Sequence, residues 1–137
     1  MNRTPVGYVF DSFAFLAFLE GESGADRIQE LMTAATRGEV TIFLSMINLG
    51  EVLHIVERER GLMRAQQVLA LIEQLPIQLV EATRDRVLAA AHIKANARLS
   101  YADAFAVVTA REVAGIVITG DPEFAAVEHL VTVEWLR

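Results

Sequence analysis

The sequence has no cysteine, a single lysine and no long apolar run. Without cysteine, disulfides and thiolate-bound metal sites are both excluded. No stretch reaches the roughly 20 consecutive apolar residues that a membrane-spanning helix needs, so no membrane association is expected. These absences predict a soluble, cytoplasmic protein.

Positive charge is also scarce. The chain carries 12 Lys and Arg against 18 Asp and Glu, which gives a net charge of −6. A module that binds nucleic acid by phosphate neutralisation alone should be basic, so this class of protein is disfavoured. The same argument does not count against a nuclease whose acids are neutralised by metal ions.

Apolar residues, by contrast, make up 53% of the 137 residues. That share supports a sizeable core in one domain spanning residues 1–137. It also indicates a further apolar surface that a partner or a second copy covers. A dimer or a tighter hetero-complex is therefore expected.

Short apolar runs alternate with amphipathic stretches along the chain. Strands are predicted at 6–10, 40–44, 77–80, 116–119 and 131–135, and helices at about 12–20, 25–37, 46–60, 62–75, 83–97 and 100–113. Continuously apolar strands that alternate with helices are typical of a parallel sheet covered on both faces. The predicted fold class is α/β, with three α/β/α layers around a central, mostly parallel sheet.

Acidic residues fall where the carboxyl edge of this sheet is expected. Asp11 and Asp121 each directly follow an apolar strand. Asp103 lies in the first turn of a helix, and Glu51 about two turns into another. Because ligands of open parallel sheets bind outside the carboxyl ends of the strands, we expect these acids to converge there.

Three of these acids also have a structural interpretation, which is favoured for each taken singly. Asp11 and Asp121 are candidate helix caps, and Asp103 is a candidate partner of Ser100 in a capping box. Glu51 is harder to explain in this way, since its helical stripe with Ile47 and Ile55 predicts a carboxylate on the apolar side.

Clustering changes the energetics of the whole group. Two carboxylates about 5 Å apart repel by roughly 3 kcal/mol at an effective dielectric near 20, so several ionised acids need a cation. Ligation by oxygen alone selects Mg²⁺ or Mn²⁺. Such ions can activate water and stabilise a phosphate undergoing attack, which indicates phosphodiester hydrolysis.

Four motifs in order carry a resemblance to a known family. V-F-D-S, N-L-G-E-V-L, S-Y-A-D-A-F-A-V and V-I-T-G-D-P-E-F resemble the PIN domain, and within it the VapC toxins of bacterial and archaeal toxin–antitoxin pairs. The resemblance spans Val9 to Phe124 and implies an endoribonuclease that depends on Mg²⁺, with Mn²⁺ as a substitute. The catalytic and metal-site acids it implies are Asp11, Glu51, Asp103 and Asp121, with Ser12 and Thr119 as accessory residues.

The resemblance also implies partners. They are an RNA substrate, a second copy of the chain, and a VapB-like antitoxin whose tail lies along the groove of the toxin. One departure is Phe13, where many family members carry Ser or Asn. A PIN-fold nuclease outside a toxin–antitoxin pair and a non-catalytic PIN-fold binding protein remain alternatives.

Two other α/β classes fit less well. A haloacid-dehalogenase-type phosphatase needs D-x-D after its first strand, whereas Asp11 is followed by Ser12 and Phe13. A phospho-accepting receiver domain needs a lysine after a late strand, whereas Lys94 falls inside a predicted helix.

Phenylalanines crowd the first strand and helix. The aromatic cluster of Phe10, Phe13, Phe15 and Phe18 is interpreted as core and interface in preference to a platform for stacking bases.

Overall fold

The computed structural model describes residues 4–137, and its elements follow the predicted order. In chain order they are β1 (Val6–Phe10), α1 (Ser12–Glu20), α2 (Ala25–Thr36), β2 (Val40–Ser45), α3 (Met46–Arg60), α4 (Leu62–Ile72), β3 (Ile77–Val80), α5 (Arg84–Asn96), α6 (Tyr101–Val113), β4 (Ile116–Thr119), a short 3-10 helix (Pro122–Val127) and β5 (Thr132–Trp135).

All five strands form one parallel sheet in the order β3-β2-β1-β4-β5. The chain builds outward from β1 to β3 and then crosses back to place β4 on the other side of β1. At the carboxyl edge, Phe10 of β1 therefore lies in register with Leu44 of β2 and with Ile118 of β4. Strands are added to one side of β1 as far as β3 and to its other side from β4 onward. This change in strand order opens a crevice between β1 and β4 at the carboxyl edge, where open α/β sheets bind ligands.

The strands are continuously apolar because both faces of the sheet are covered. Phe10, Leu44 and Ile118 point to one face and pack under α1 to α4. Val9 and Val117 point to the other face, where they pack under α6 and the 3-10 helix. The α5 helix packs on α6 through Ala90. The predicted three-layer α/β/α class is confirmed, with a sheet that is parallel throughout.

The phenylalanine cluster is core only in part. Phe10 and Phe15 are fully buried, and Phe18 is half-buried against the same core. Phe13 is instead exposed to 42% of its full surface. The core part of the interpretation is therefore wrong for Phe13, and for this residue the interface part stays a prediction. No helix in the described chain combines the length and hydropathy needed to cross a bilayer.

Candidate active site at the carboxyl edge of the sheet

Asp11 directly follows β1 and Thr119 is the last residue of the neighbouring β4, and both are fully buried. Asp11 caps α1, since its Oδ1 accepts from the Ala14 amide at 2.8 Å. Its Oδ2 accepts from the Thr119 hydroxyl at 2.5 Å, and that hydroxyl accepts from the Asp121 amide at 2.9 Å. Burial raises the pKa of Asp11 to about 7, although the hydrogen bonds from the Thr119 hydroxyl and the Ala14 amide act to lower it. Thr119 thus fixes the orientation of Asp11 and the path of the chain into Asp121.

Asp103 is the acid on which the other charges converge. It is buried at the start of α6. Burial raises its pKa to about 8, and the nearby charges of Asp11, Asp121 and Glu51 add to the effect. The raised pKa means that the ionised form of Asp103 is disfavoured unless a cation is near.

Only one of the two contacts of the expected capping box between Ser100 and Asp103 is present. The Ser100 hydroxyl accepts from the Asp103 amide at 3.1 Å, as in a capping box. The return contact comes from elsewhere, because the Ser100 amide donates to Oε2 of Glu123 at 3.2 Å. The Asp103 carboxylate is thereby left facing the other acids.

Glu123 is the acid that sequence reasoning did not assign to the site. One carboxylate oxygen each of Asp103, Asp121 and Glu123 lies within 4.8 Å of the other two. Asp121 caps the 3-10 helix by accepting from the Glu123 amide at 2.9 Å, so capping holds both acids next to α6. The signal in the sequence was Asp121-Pro122-Glu123, which indicated only an acidic first helical turn.

Glu51 lies at the margin of the group. The buried side of α3 carries Leu49, Val52 and Val56, whereas Glu51 is half-buried. Glu51 therefore lies beside the buried side of α3, one helical turn after Ile47, which packs against the core between α5 and α6. The charge of Glu51 still reaches Asp103 and raises the pKa of that acid.

Asn48 is a second residue that the sequence analysis missed. Fully buried in α3, it donates from Nδ2 to Ser12 Oγ at 3.3 Å and to the Ala102 carbonyl at 3.1 Å. The Ser12 hydroxyl donates back to the Asn48 carbonyl at 3.3 Å. Because Ser12 follows Asp11 and Ala102 precedes Asp103, these bonds tie α3 to both helices that begin beside an acid.

The donor set fits a hard divalent cation. Within the described part of the chain, none of the five ion pairs involves any of the acids at this edge of the sheet. Their mutual repulsion is thus not relieved by an arginine or lysine. Carboxylate oxygens this close together are the ligands that Mg²⁺ and Mn²⁺ prefer.

A pH dependence of stability follows from Asp11 and Asp103. Both have a folded-state pKa above the ordinary value of 3.8, so the folded protein retains protons that the unfolded chain has released. The free energy of unfolding should therefore fall as pH rises from about 4 to about 8 and then level off. In EDTA we expect the melting temperature to be several degrees higher at pH 5 than at pH 8.5. Millimolar Mn²⁺ should reduce this difference, because a cation favours the ionised acids. Equal melting temperatures at both pH values in EDTA would contradict the electrostatic description of the site.

This chain belongs to the PIN domain family, whose model matches residues 8–130. The family consists of nucleases that depend on divalent metal ions. The match runs from Tyr8 within β1 to Leu130, just before β5, and includes every acid of the site. No curated protein sequence matches the chain.

Solved structures share the fold at low sequence identity, and 37 chains match. VapBC2 from Rickettsia felis, bound to a DNA fragment from its promoter, is 14% identical with a TM-score of 0.71, and the alignment covers 96% of this chain and 100% of that one. VapC20 from Mycobacterium tuberculosis, a Sarcin-Ricin loop cleaving toxin, is 20% identical with a TM-score of 0.70 over 87% of this chain and 93% of that one. FitAcB from Neisseria gonorrhoeae is 17% identical with a TM-score of 0.65 over 92% and 95%.

Proposed function

We propose that this protein is a divalent-metal-dependent endoribonuclease and the toxin of a VapBC-type toxin–antitoxin pair. The observation that carries the proposal is the group of acids around Asp103 at the carboxyl edge of a PIN fold. A non-catalytic PIN-fold binding protein would have no need to keep such a costly group of unneutralised charges.

The position of each residue suggests its role in the site. Asp103, Asp121 and Glu123, whose carboxylate oxygens lie within 4.8 Å of one another, would hold Mg²⁺ or Mn²⁺, with Asp11 and Glu51 beside them. When bound, such an ion polarises the phosphodiester and lowers the pKa of water. Thr119 fixes the Asp11 carboxylate by its hydrogen bond, and Ser12 and Asn48 keep α1, α3 and α6 in place around it.

The toxin assignment rests on likeness to solved structures. They include a toxin–antitoxin complex from Klebsiella pneumoniae, 18% identical with a TM-score of 0.66. An antitoxin of VapB type and cytoplasmic RNA are accordingly the proposed partners. A homodimer is proposed because α4 exposes Leu62 and Leu69, two turns apart on the same side of the helix, with Met63 next to Leu62, and a second copy can cover these apolar residues. A PIN nuclease outside a toxin–antitoxin pair is the alternative.

Cleavage of RNA by the purified chain tests the proposal. We expect the wild type to cut end-labelled RNA under single-turnover conditions with Mn²⁺ or Mg²⁺ and to be inactive in EDTA. Asp121→Asn, purified in the same way, controls for contaminating nucleases and should be inactive with either metal. Equal cleavage by wild type and Asp121→Asn, or none by the wild type, would contradict the nuclease assignment. Growth arrest on expression, relieved by a neighbouring antitoxin gene, would separate the toxin from the alternative nuclease.

A further inference from the structure

Thr119 orients the Asp11 carboxylate, and its own place in the sheet depends on β5. Pairing of β4 with β1 stops at Ile118, whereas pairing of β4 with β5 continues to Thr119, which lies in register with Trp135. The Thr119 carbonyl also accepts from the Leu136 amide at 2.8 Å. The residue that binds Asp11 is therefore held in the sheet from the side of β5.

Backbone pairing alone holds β5 weakly. Within residues 4–137, β5 is an edge strand of four residues that pairs only with β4. A short strand with one neighbour opens more readily than a strand between two others. Further contacts are needed to keep β5, and with it the end of β4, in one position.

The helix α2 supplies these contacts, beginning with Arg27. Its Nε and Nη2 donate to the two carboxylate oxygens of Glu134 on β5 at 2.7 and 3.0 Å, which is a bidentate ion pair. The guanidinium also donates to Glu30 and lies 5.8 Å from the centroid of the Tyr8 ring on β1. With 38% of the Arg27 side chain and 32% of the Glu134 side chain exposed, solvent screens this pair less than a fully exposed one.

Leu136 adds an apolar contact at the start of α2. A Cβ added to Gly24, the N-cap of α2, would lie 3.1 Å from Cβ and from Cδ2 of Leu136, so these two residues are in close contact. Gly24 has a φ of 96°, which favours glycine and keeps this space open for the leucine. Gly24, Arg27, Glu134 and Leu136 form what we call the α2 clamp.

We propose that the α2 clamp positions the active site by holding β5 against β4 and thereby fixing Thr119. This inference rests on the proposed metal-dependent function. The Thr119 hydroxyl donates to Asp11 and accepts from the amide of Asp121, so a displacement of Thr119 moves both acids. Mg²⁺ requires a near-octahedral set of oxygens at about 2.0–2.1 Å, and a small misplacement of its ligands weakens binding. Arg27 and Glu134 are then positioning residues that act through Thr119.

The test measures Mg²⁺ affinity by calorimetry, together with the melting temperature in EDTA. Arg27→Gln breaks the pair with Glu134. Arg86→Gln is the matched control, because Arg86 pairs with Glu112 at 3.0 Å near the end of α6 that lies away from Asp103. Both variants should lower the melting temperature by a similar small amount. Only Arg27→Gln should raise the Kd for Mg²⁺, by about five- to tenfold, which is less than the roughly 10- to 100-fold effect of removing a residue that binds a metal ligand directly.

Thr119→Val separates positioning from a general loss of stability. Valine has nearly the shape of threonine without the hydroxyl, and Thr119→Val should raise the Kd for Mg²⁺ by roughly 10- to 100-fold. Since the clamp acts through Thr119, Arg27→Gln should cause no further loss of Mg²⁺ affinity in the Thr119→Val background, although it should still lower the melting temperature. Leu136→Pro, which removes the amide that donates to Thr119, should match Arg27→Gln in the wild-type background.

Cleavage of RNA gives a second readout. The Mg²⁺ concentration at half-maximal rate should rise in Arg27→Gln by the same factor as the Kd, whereas KM for RNA at saturating Mg²⁺ should stay at the wild-type value.

The outcomes distinguish the clamp from the nuclease function. A wild type that binds Mg²⁺ and cuts RNA, with an unchanged Kd in Arg27→Gln and Leu136→Pro, would overturn the inference and leave the nuclease function standing. An equal loss of affinity from Arg27→Gln with and without the Thr119 hydroxyl would also overturn it. Mg²⁺ binding that depends on Arg27 as expected, without any cleavage of RNA, would retain the clamp and overturn the nuclease function. A wild type that neither binds Mg²⁺ nor cuts RNA would overturn both.

Discussion

Asp103→Asn is expected to lower the rate of RNA cleavage by about 1,000-fold or more and to raise the melting temperature measured in EDTA. The loss of rate corresponds to about 4 kcal/mol in the barrier, because an amide carries no charge to hold the cation. The gain in stability arises because burial and the charges of Asp11 and Asp121 disfavour an ionised carboxylate at this position. An amide of nearly the same shape removes that cost. The increase should amount to a few degrees at pH 8.5, or about 1 kcal/mol for a chain of this length.

Asp85→Asn is the matched control for this experiment. Asp85 also lies in the first turn of a helix, but it is exposed on α5. Its replacement should leave cleavage unchanged and the melting temperature equal or slightly lower, since the favourable interaction with the helix dipole is lost. A folded Asp103→Asn protein that cuts RNA at the wild-type rate would exclude Asp103 from the site. Lower stability in EDTA would show that its carboxylate has a structural partner.

Glu51→Gln is expected to lower the cleavage rate by about 100-fold, a barrier increase of roughly 3 kcal/mol, with little change in stability. Glu51 is half-buried, and no ion pair within residues 4–137 includes it, so the amide should be tolerated by the fold. Its charge does reach Asp103, which places it close enough to act on a cation there. Single-turnover cleavage with Mn²⁺, together with circular dichroism for the fold, measures both effects.

Glu57→Gln on the same helix is the comparison for Glu51. Glu57 is exposed, and its replacement should change neither rate nor stability. If Glu51→Gln and Glu57→Gln both cut at the wild-type rate, Glu51 has no part in the reaction. The site would then consist of Asp11, Asp103, Asp121 and Glu123, which lie at the starts of α1, α6 and the 3-10 helix.

Most of the fold was predictable because its strands are buried on both faces. Val6–Phe10 and Ile116–Thr119 are apolar without interruption and end at a polar residue, so the bounds of β1 and β4 follow from the sequence. The sequence predicts the helix α4 less well. The helix predicted at about 62–75 ends at Ile72, and it buries Ala65, Val68 and Ile72 while Leu69 is exposed. Ala65 belongs to the core where α4 packs on α3, and periodicity alone does not indicate that contact.

The site was predictable to the extent that sheet topology determines it. Asp11, Asp103 and Asp121 follow strands or begin a helix, and parallel topology brings such positions to one edge. Glu123 and Asn48 depend on long-range contacts, with Ser100 and with Ser12 and Ala102. Nothing in their local sequence indicates those partners. The partial burial of Glu51 was likewise not predictable in detail, since the orientation of α3 on the sheet sets which of its sides is buried.

The position of β4 beside β1 has a consequence for the order in which the protein is made. The contact between Asp11 and Thr119 joins residues 108 positions apart, and Glu123 lies further on. During synthesis, β1, β2 and β3 can pair with their helices while residues 116–123 are still inside the ribosome. Pairing over such a distance carries a large loop-closure cost and is among the later events of folding. A nascent chain therefore carries Asp11 and Glu51 before Asp121 and Glu123 are available, so under the proposed nuclease function the site cannot form until residues 116–123 have left the ribosome.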